Sequence, residues 1–262
     1  MSIQQMLLGV GAVATKTYVD DVFSTYVYTG NGSTRSINNG INLSESGGLV
    51  WTKTRNHDYS HFLIDTVRGN TKGLVSNTSA AEATKASNDG ITSFNSNGYS
   101  LGEDSANPDG YANENNKTYS SWSFRKAKGC FTCLTYVGNG TAGRQISHDL
   151  GCKPGCMIVK QTSGGEYWYV YHRGANGGVN PAKAFLELNT TDAEAVAPSD
   201  IAADVWNETE PTSSVFTVGD DGAVNGNGST YVAYLWGGGE STATNATSVR
   251  FGGNYHLNPG TS

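Results

Sequence analysis

Apolar and polar residues alternate with a period of two in several short stretches of the chain, clearly at 133–137, 157–160, 166–171 and 230–236. Because neighbouring side chains of a β-strand point to opposite faces, each stretch predicts a half-buried strand. Asn-Gly and Asp-Gly steps lie between such stretches, and they favour the positive φ angles of tight hairpin turns. Many short strands joined by such turns predict an all-β fold of antiparallel, jelly-roll-like β-sandwiches.

The chain contains two copies of one pattern. Tyr-Thr-Gly-Asn-Gly-Ser at 28–33 returns as Tyr-Val-Gly-Asn-Gly-Thr at 136–141, and further blocks follow in the same order. The later matches pair 50–53 with 157–160, 65–69 with 170–174, 74–79 with 186–191, and Asn113, Asn115, Thr118 and Tyr119 with Asn225, Asn227, Thr230 and Tyr231. Duplication of one unit of about a hundred residues, an ordinary domain size, explains the matches.

The repeat predicts the division of the chain. We expect a first β-sandwich domain at 23–128 and a second, its repeat, at 129–238. We also expect residues 1–22 to form an arm for attachment or oligomerisation, followed at the other end by a tail, residues 239–262, rich in Gly, Ser, Thr and Asn.

The arm carries one helical signal. Val19, Val22 and Phe23 follow the i, i+3, i+4 spacing of one helix face. A helix this short is marginal alone, so it must pack against something. Its own domain is one partner, and a second copy or another protein is the other.

Composition removes some classes of function. Among 262 residues, only 15% are charged and the net charge is −6, so no basic surface is expected to bind nucleic acid. No stretch reaches the roughly 18 apolar residues that a membrane span requires. The 14 Tyr, 8 Phe and 5 Trp supply enough apolar area for real cores.

Several segments resemble virion structural proteins of marine tailed phages, particularly cyanophages. The resemblance lies in 1–9, 28–33, 49–53, 158–160, 171–174 and 228–235, and it extends over most of the chain. It implies concanavalin A-like jelly-roll modules in a tail fibre, appendage or capsid decoration. It also implies a virion location after assembly in the host cytoplasm, other virion proteins as partners, and a homo-oligomer, with a trimer expected by analogy alone. A host-surface glycan is a further expected partner.

Four cysteines occur as two close pairs, Cys130 with Cys133 and Cys152 with Cys156. This spacing could hold a zinc ion, or the thiols could form disulfides. The first copy has no cysteine at the equivalent positions, so the fold does not need a metal. We therefore expect unlinked, buried thiols and no cofactor.

Two other segments could bind ligands. Tyr167, Tyr169 and Tyr171 share one face of a predicted strand and could stack on sugar rings, although one face of that strand must be core. The acidic loops at 103–109 and 220–225 could hold calcium, but we expect solvated turns.

Catalysis has little support in the sequence, because the five histidines are scattered and no Gly-x-Ser-x-Gly or His-Glu-x-x-His motif occurs. We expect a protein that is not an enzyme. A tail-associated depolymerase, which needs two carboxylates across a cleft, and a sugar-binding lectin module are the alternatives.

Overall fold

The structure is a computed structural model that describes residues 17–104, 112–196 and 204–238. Its first half contains the strands β1 (Phe23–Thr29), β2 (Arg35–Asn38), β3 (Gly48–Thr54), β4 (Phe62–Asp65), β5 (Lys72–Val75), β6 (Ala83–Thr84), β7 (Ile91–Asn95), β8 (Gly98–Leu101) and β9 (Thr118–Arg125). Its second half contains β10 (Phe131–Val137), β11 (Arg144–Ser147), β12 (Pro154–Gln161), β13 (Trp168–His172), β14 (Ala184–Glu187), β15 (Ala195–Val196), β16 (Val215–Val218) and β17 (Thr230–Gly237).

The helices are short. They include α1 (Val19–Val22), α2 (Leu43–Ser46), α3 (Gly222–Asn225) and two 3-10 turns at Ala175–Gly178 and Pro181–Lys183.

The two halves share one strand order. The first half has a six-stranded sheet in the order β1-β9-β3-β4-β5-β6, and the second has β10-β17-β12-β13-β14-β15. A smaller sheet accompanies each, β2-β8-β7 in the first half and β11-β16 in the second. Every one of these pairings is antiparallel. The predicted all-β, antiparallel sandwich class is confirmed.

The described residues bury their apolar side chains in three cores. One core lies between the two sheets of the first half, and another lies between those of the second half. The third core joins the two six-stranded sheets and takes residues from both halves. The period of two explains how one strand serves two cores: in β12, Met157 and Val159 face the core of the second half, whereas Ile158 faces the shared core. We call this shared core the central core.

Each half fixes the loop between its first two strands with a buried asparagine. In the first half, Asn113 Nδ2 donates to the carbonyls of Ser33 (2.8 Å) and Gly102 (2.6 Å). In the second half, Asn225 Nδ2 donates in the same way to Thr141 (3.0 Å) and Gly219 (2.6 Å). The repeated Asn in the sequence therefore holds the repeated loop in place.

The strand register corrects one match between the copies. Asp65 pairs with Leu49 in the first half, and His172 pairs with Cys156 in the second. His172 therefore takes the position of Asp65, and the match of 65–69 with 170–174 is wrong by two residues. The shared Arg-Gly step guided that match, but it lies in loops of different length, 66–71 and 173–183, and so marks no common position.

Candidate functional site

A buried ionic cluster joins the two halves inside the central core. Arg68 Nη2 lies 2.6 Å from Asp65 Oδ2, and Arg68 Nη1 lies 3.1 Å from Glu82 Oε2. From the second half, the Tyr234 hydroxyl donates to Asp65 Oδ2 at 2.7 Å and accepts from Arg68 Nη2 at 3.1 Å. The Asp65 and Arg68 side chains are only 0% and 4% exposed, and buried charges are stable only when paired in this way. The cluster therefore fixes the position of one half against the other.

A segment of the first half, residues 75–82, covers one face of the second half. The Trp168 indole Nε1–H donates to the carbonyls of Val75 (3.2 Å) and Thr78 (3.0 Å). Lys160 Nζ donates to the Ser79 carbonyl at 3.1 Å, and burial lowers the pKa of Lys160 to about 8. These contacts leave both Lys160 and Trp168 with 0% exposure.

The corresponding face of the first half is only partly covered. It carries Trp51, Lys53, His61 and Trp122, each of them half-buried, and we call these four residues the aromatic shelf. The Trp51 ring meets Trp122 edge-on (centroids 6.3 Å apart, 76°) and His61 edge-on (6.0 Å, 74°). Trp51 Nε1 donates to His61 Nδ1 at 3.1 Å. Burial and then the nearby Lys53 charge lower the pKa of His61, so the imidazole is neutral at physiological pH.

An exposed valine extends the aromatic shelf toward the edge of its sheet. Val27 of β1 is 58% exposed and pairs with Ser120, which in turn pairs with Lys53. β1 is the end strand of its sheet in the observed strand order. Half-buried tryptophans beside an exposed aliphatic residue are typical of protein interaction surfaces.

Comparison with known proteins places the chain in a family. The family model described as Domain of unknown function (DUF7483) matches residues 19–244. This chain belongs to the DUF7483 family. The DUF7483 match covers both halves, so the family unit includes the central core and its ionic cluster. The comparison with curated proteins found no match.

The predicted sugar-stacking residues of this DUF7483 chain do not form an open face. Tyr169 and Tyr171 are 7% and 0% exposed in the core of the second half. A ring buried on both faces cannot stack on a sugar. Tyr167, which precedes β13, is 45% exposed and remains available at the surface.

None of the four cysteines of the DUF7483 chain, all of which lie in the described residues, forms a disulfide. Cys130 and Cys133 belong to the central core, and Cys152 and Cys156 are half-buried beside the two cores. Burial raises the pKa of Cys130 and of Cys156 to about 12, which disfavours the thiolate that binds metals. Within the described ranges, no three or more His, Cys, Asp or Glu side chains group together as a metal site would require.

The residues predicted for attachment divide between core and surface. Val22 is fully buried in the central core, and the Phe23 ring lies 4.8 Å from the Phe124 ring. Both therefore pack within their own chain, whereas Val19 is 51% exposed. The preceding part of the predicted arm, residues 1–16, lies outside the described residues.

Each acidic loop has one described carboxylate that binds backbone N–H groups within the fold. Asp221 accepts from the Ala223 N–H at 2.7 Å and caps α3. Asp104 Oδ2 accepts from the backbone N–H groups of Ala112 (2.9 Å) and Asn113 (2.7 Å). Residues 105–109 of the first loop lie outside the described residues.

In the part of the chain that the structure describes, no helix is long and apolar enough to span a membrane.

Sequence reasoning missed the ionic cluster and the aromatic shelf of this DUF7483 protein. Arg68 lies in the repeated block 65–69, but its partner Tyr234 is 166 residues away in the chain, so no local pattern links the two. Trp122 did have a signal, because an aromatic residue stands between serines in the alternating stretch 118–125. That pattern identifies a strand face but not the neighbour that covers it.

Proposed function

We propose that this chain is a structural component of a bacteriophage virion, exposed on its surface as part of a tail fibre, an appendage or a decoration. Its role is to assemble with other virion proteins and to present its loops to the host cell. The resemblance to marine tailed-phage proteins supports this assignment, and so does the way in which the two halves are joined.

The ionic cluster is the observation that carries the proposal. Asp65, Arg68 and Tyr234 fix the two sheets against each other with a charged pair that is almost completely buried. A buried pair contributes orientation more than net stability, because desolvation offsets much of its attraction. A protein that must hold two modules at one angle under mechanical load gains from such an arrangement.

Four of the described carboxylates take part in structural contacts, which supports a structural role. Asp65 and Glu82 both pair with Arg68, Asp104 binds backbone N–H groups, and Asp221 caps a helix. A glycoside hydrolase instead needs two carboxylates that face a substrate across a cleft. These four side chains are committed to contacts within the fold.

The test is to locate the chain in particles of the phage that encodes it. Antibodies raised against the purified protein should label one defined position on each purified particle in electron micrographs, and particles from a phage with the gene deleted should stay unlabelled. If the chain remains in the cleared lysate and none of it sediments with the particles, the proposal is wrong. A fall in the viscosity of host capsular polysaccharide on incubation with the pure chain would instead support the enzyme alternative.

A further inference from the structure

The first half keeps two tryptophans partly open where the second half buries their counterparts. Trp51 of β3 lies directly opposite Trp122 of β9, just as Ile158 of β12 lies opposite Tyr234 of β17. Ile158 and Tyr234 are only 7% and 0% exposed, because both belong to the central core. Trp51 and Trp122 are half-buried, so part of each indole ring remains at the surface.

A cavity adjoins this part of the aromatic shelf. It has a volume of about 520 Å³, it is open to solvent, and it is lined by Asn77 and the segment 188–192. Asn77 connects the cavity to the shelf, since its Oδ1 accepts from the His61 N–H at 2.9 Å and the Trp51 indole donates to the His61 ring at 3.1 Å. We call the cavity and the shelf together the shelf groove.

The segment 188–192 is fixed by hydrogen bonds, so this side of the shelf groove is preformed. Asn189 Oδ1 accepts from the Trp168 N–H at 2.8 Å, and Thr190 Oγ1 accepts from the Asp192 N–H at 3.2 Å. Thr191 and Asp192 remain exposed at the rim. A preformed site loses little conformational entropy when a ligand binds.

The side chains of the shelf groove suit a ligand that has an apolar face and a rim of hydroxyl groups. Flat indole rings offer apolar contact area, and amide, hydroxyl and carboxylate side chains hydrogen-bond hydroxyl groups. A sugar ring has both features, because C–H groups lie on its face and hydroxyls at its edge. Of the described residues that line the cavity, only Asp192 carries a charge. On the shelf, Lys53 Nζ donates to the backbone carbonyls of Thr54 and His57, at 2.8 Å and 3.0 Å. This chemistry favours an uncharged sugar.

We propose that the shelf groove binds a neutral oligosaccharide. One sugar ring lies against the open parts of Trp51 and Trp122, and Thr191 and Asp192 hydrogen-bond the hydroxyls of the ring that enters the cavity. Only the source of the sugar, the surface of the host cell, rests on the proposed virion role.

Titration of the purified chain with oligosaccharides, followed by the indole N–H signals in NMR spectra, tests the site. The probes are maltohexaose, cellohexaose, mannohexaose and chitohexaose at millimolar concentration, with an alginate hexamer as the anionic comparison. We expect at least one neutral probe to shift the signals of Trp51 and Trp122 until they saturate. The signals of Trp168 and Trp206 should stay in place, because these rings are 0% and 1% exposed.

The variants Trp51→Phe, Trp122→Phe, Trp168→Phe and Trp206→Phe assign the four signals. If no neutral probe shifts the two shelf signals, or if all four signals shift equally, the proposal is overturned. Tighter binding of the alginate hexamer than of every neutral probe would also overturn it.

A variant at the rim separates the shelf groove from other surfaces. Asp192→Ala should weaken binding of the neutral probe at least about tenfold, because a hydrogen bond to a charged group is lost. Asp20→Ala is the matched control, since Asp20 is also an exposed aspartate but lies on α1; it should leave the affinity unchanged. Equal affinities for the two variants would mean that the sugar binds elsewhere, which would contradict the proposal.

These measurements use the purified chain and do not depend on the virion proposal. A chain that sediments with particles but binds no neutral probe would reject this inference alone. A chain that binds a neutral probe but is absent from particles would reject only the virion role.

Discussion

At the scale of single residues, Arg68 carries a buried charge that depends on its partners. Its guanidinium is almost fully buried. It contacts two carboxylates of its own half and the hydroxyl of Tyr234 in the other half. Removing one member of a buried pair leaves the other charge unpaired in a medium that solvates it poorly.

Replacing Arg68 with methionine should therefore lower the free energy of unfolding by about 3–5 kcal/mol. Lys72→Met is the matched control, because Lys72 also contacts Glu82, at 3.4 Å, but is 40% exposed. This exposed pair should contribute at most about 1 kcal/mol. Urea denaturation of both variants measures the difference, and equal losses would show that Arg68 is not held as described.

Lys160 gives the protein a pH dependence whose sign follows from its burial. Burial lowers its pKa from 10.5 to about 8, so between these values the folded state releases a proton that the unfolded state keeps. Stability rises with pH wherever the unfolded state binds more protons. The burial cost is thus fully present below pH 8 and is relieved as the pH rises toward 10.5.

Compared with a Lys160→Met variant, the wild type should gain stability on the order of 2 kcal/mol across this window. Denaturant titrations of both proteins at neutral pH and at about pH 10 measure the gain. Burial also lowers the pKa of Lys85 to about 8. Because Lys85 is present in both proteins, its contribution to the pH dependence cancels in the comparison. A stability difference that stays constant with pH would show that the pKa of Lys160 is not lowered.

At the scale of the elements, a glycine decides how closely the loop between the first two strands of each half approaches the loop that precedes the last strand. A Cβ on Gly138 would lie 2.1 Å from the Gly226 carbonyl oxygen, and one on Gly30 would lie 2.2 Å from that of Glu114. A backbone carbonyl cannot move aside as the end of a flexible side chain can. The repeated Tyr-x-Gly-Asn-Gly pattern therefore reflects a steric requirement that both halves share.

Gly138→Ala should cost about 1–3 kcal/mol of stability, as other overpacked sites do. Gly222→Ala is the control, since a Cβ there meets nothing within 4 Å; its effect should be neutral or slightly stabilising. Thermal unfolding of the two variants measures both effects. A Gly138→Ala protein as stable as the control would show that the loop between β10 and β11 is not packed against the Gly226 backbone.

The strands were largely predictable, because the period of two is local. The stretches at 133–137, 157–160 and 230–236 lie in β10, β12 and β17, and the repeat indicated two similar units. The alignment of the two copies after β4 and β13 was not predictable. The loops that follow these strands differ in length, so the Arg-Gly step that both loops contain does not mark equivalent positions. The pattern also gave Tyr169 and Tyr171 one common face, but it could not show that this face lies in a core.

At the scale of the whole molecule, the two halves share a core instead of standing apart. A sequence repeat predicts similar units, but it does not say which faces of these units meet. Here the faces of the two six-stranded sheets that point away from the small sheets form the central core, which includes Leu63 and Ile158. The ionic cluster and the shelf arise only from this packing, so neither could be predicted from the local pattern.

Hydrogen exchange of the indole N–H groups, followed by NMR and with Trp168 assigned from a Trp168→Phe variant, tests this packing most directly. The Trp168 N–H bonds to carbonyls of Val75 and Thr78 in the other half, and the ring has no solvent exposure. We predict that this proton exchanges only with global unfolding. Exchange as fast as that of a solvent-exposed indole would contradict the shared core and the joining of the two halves.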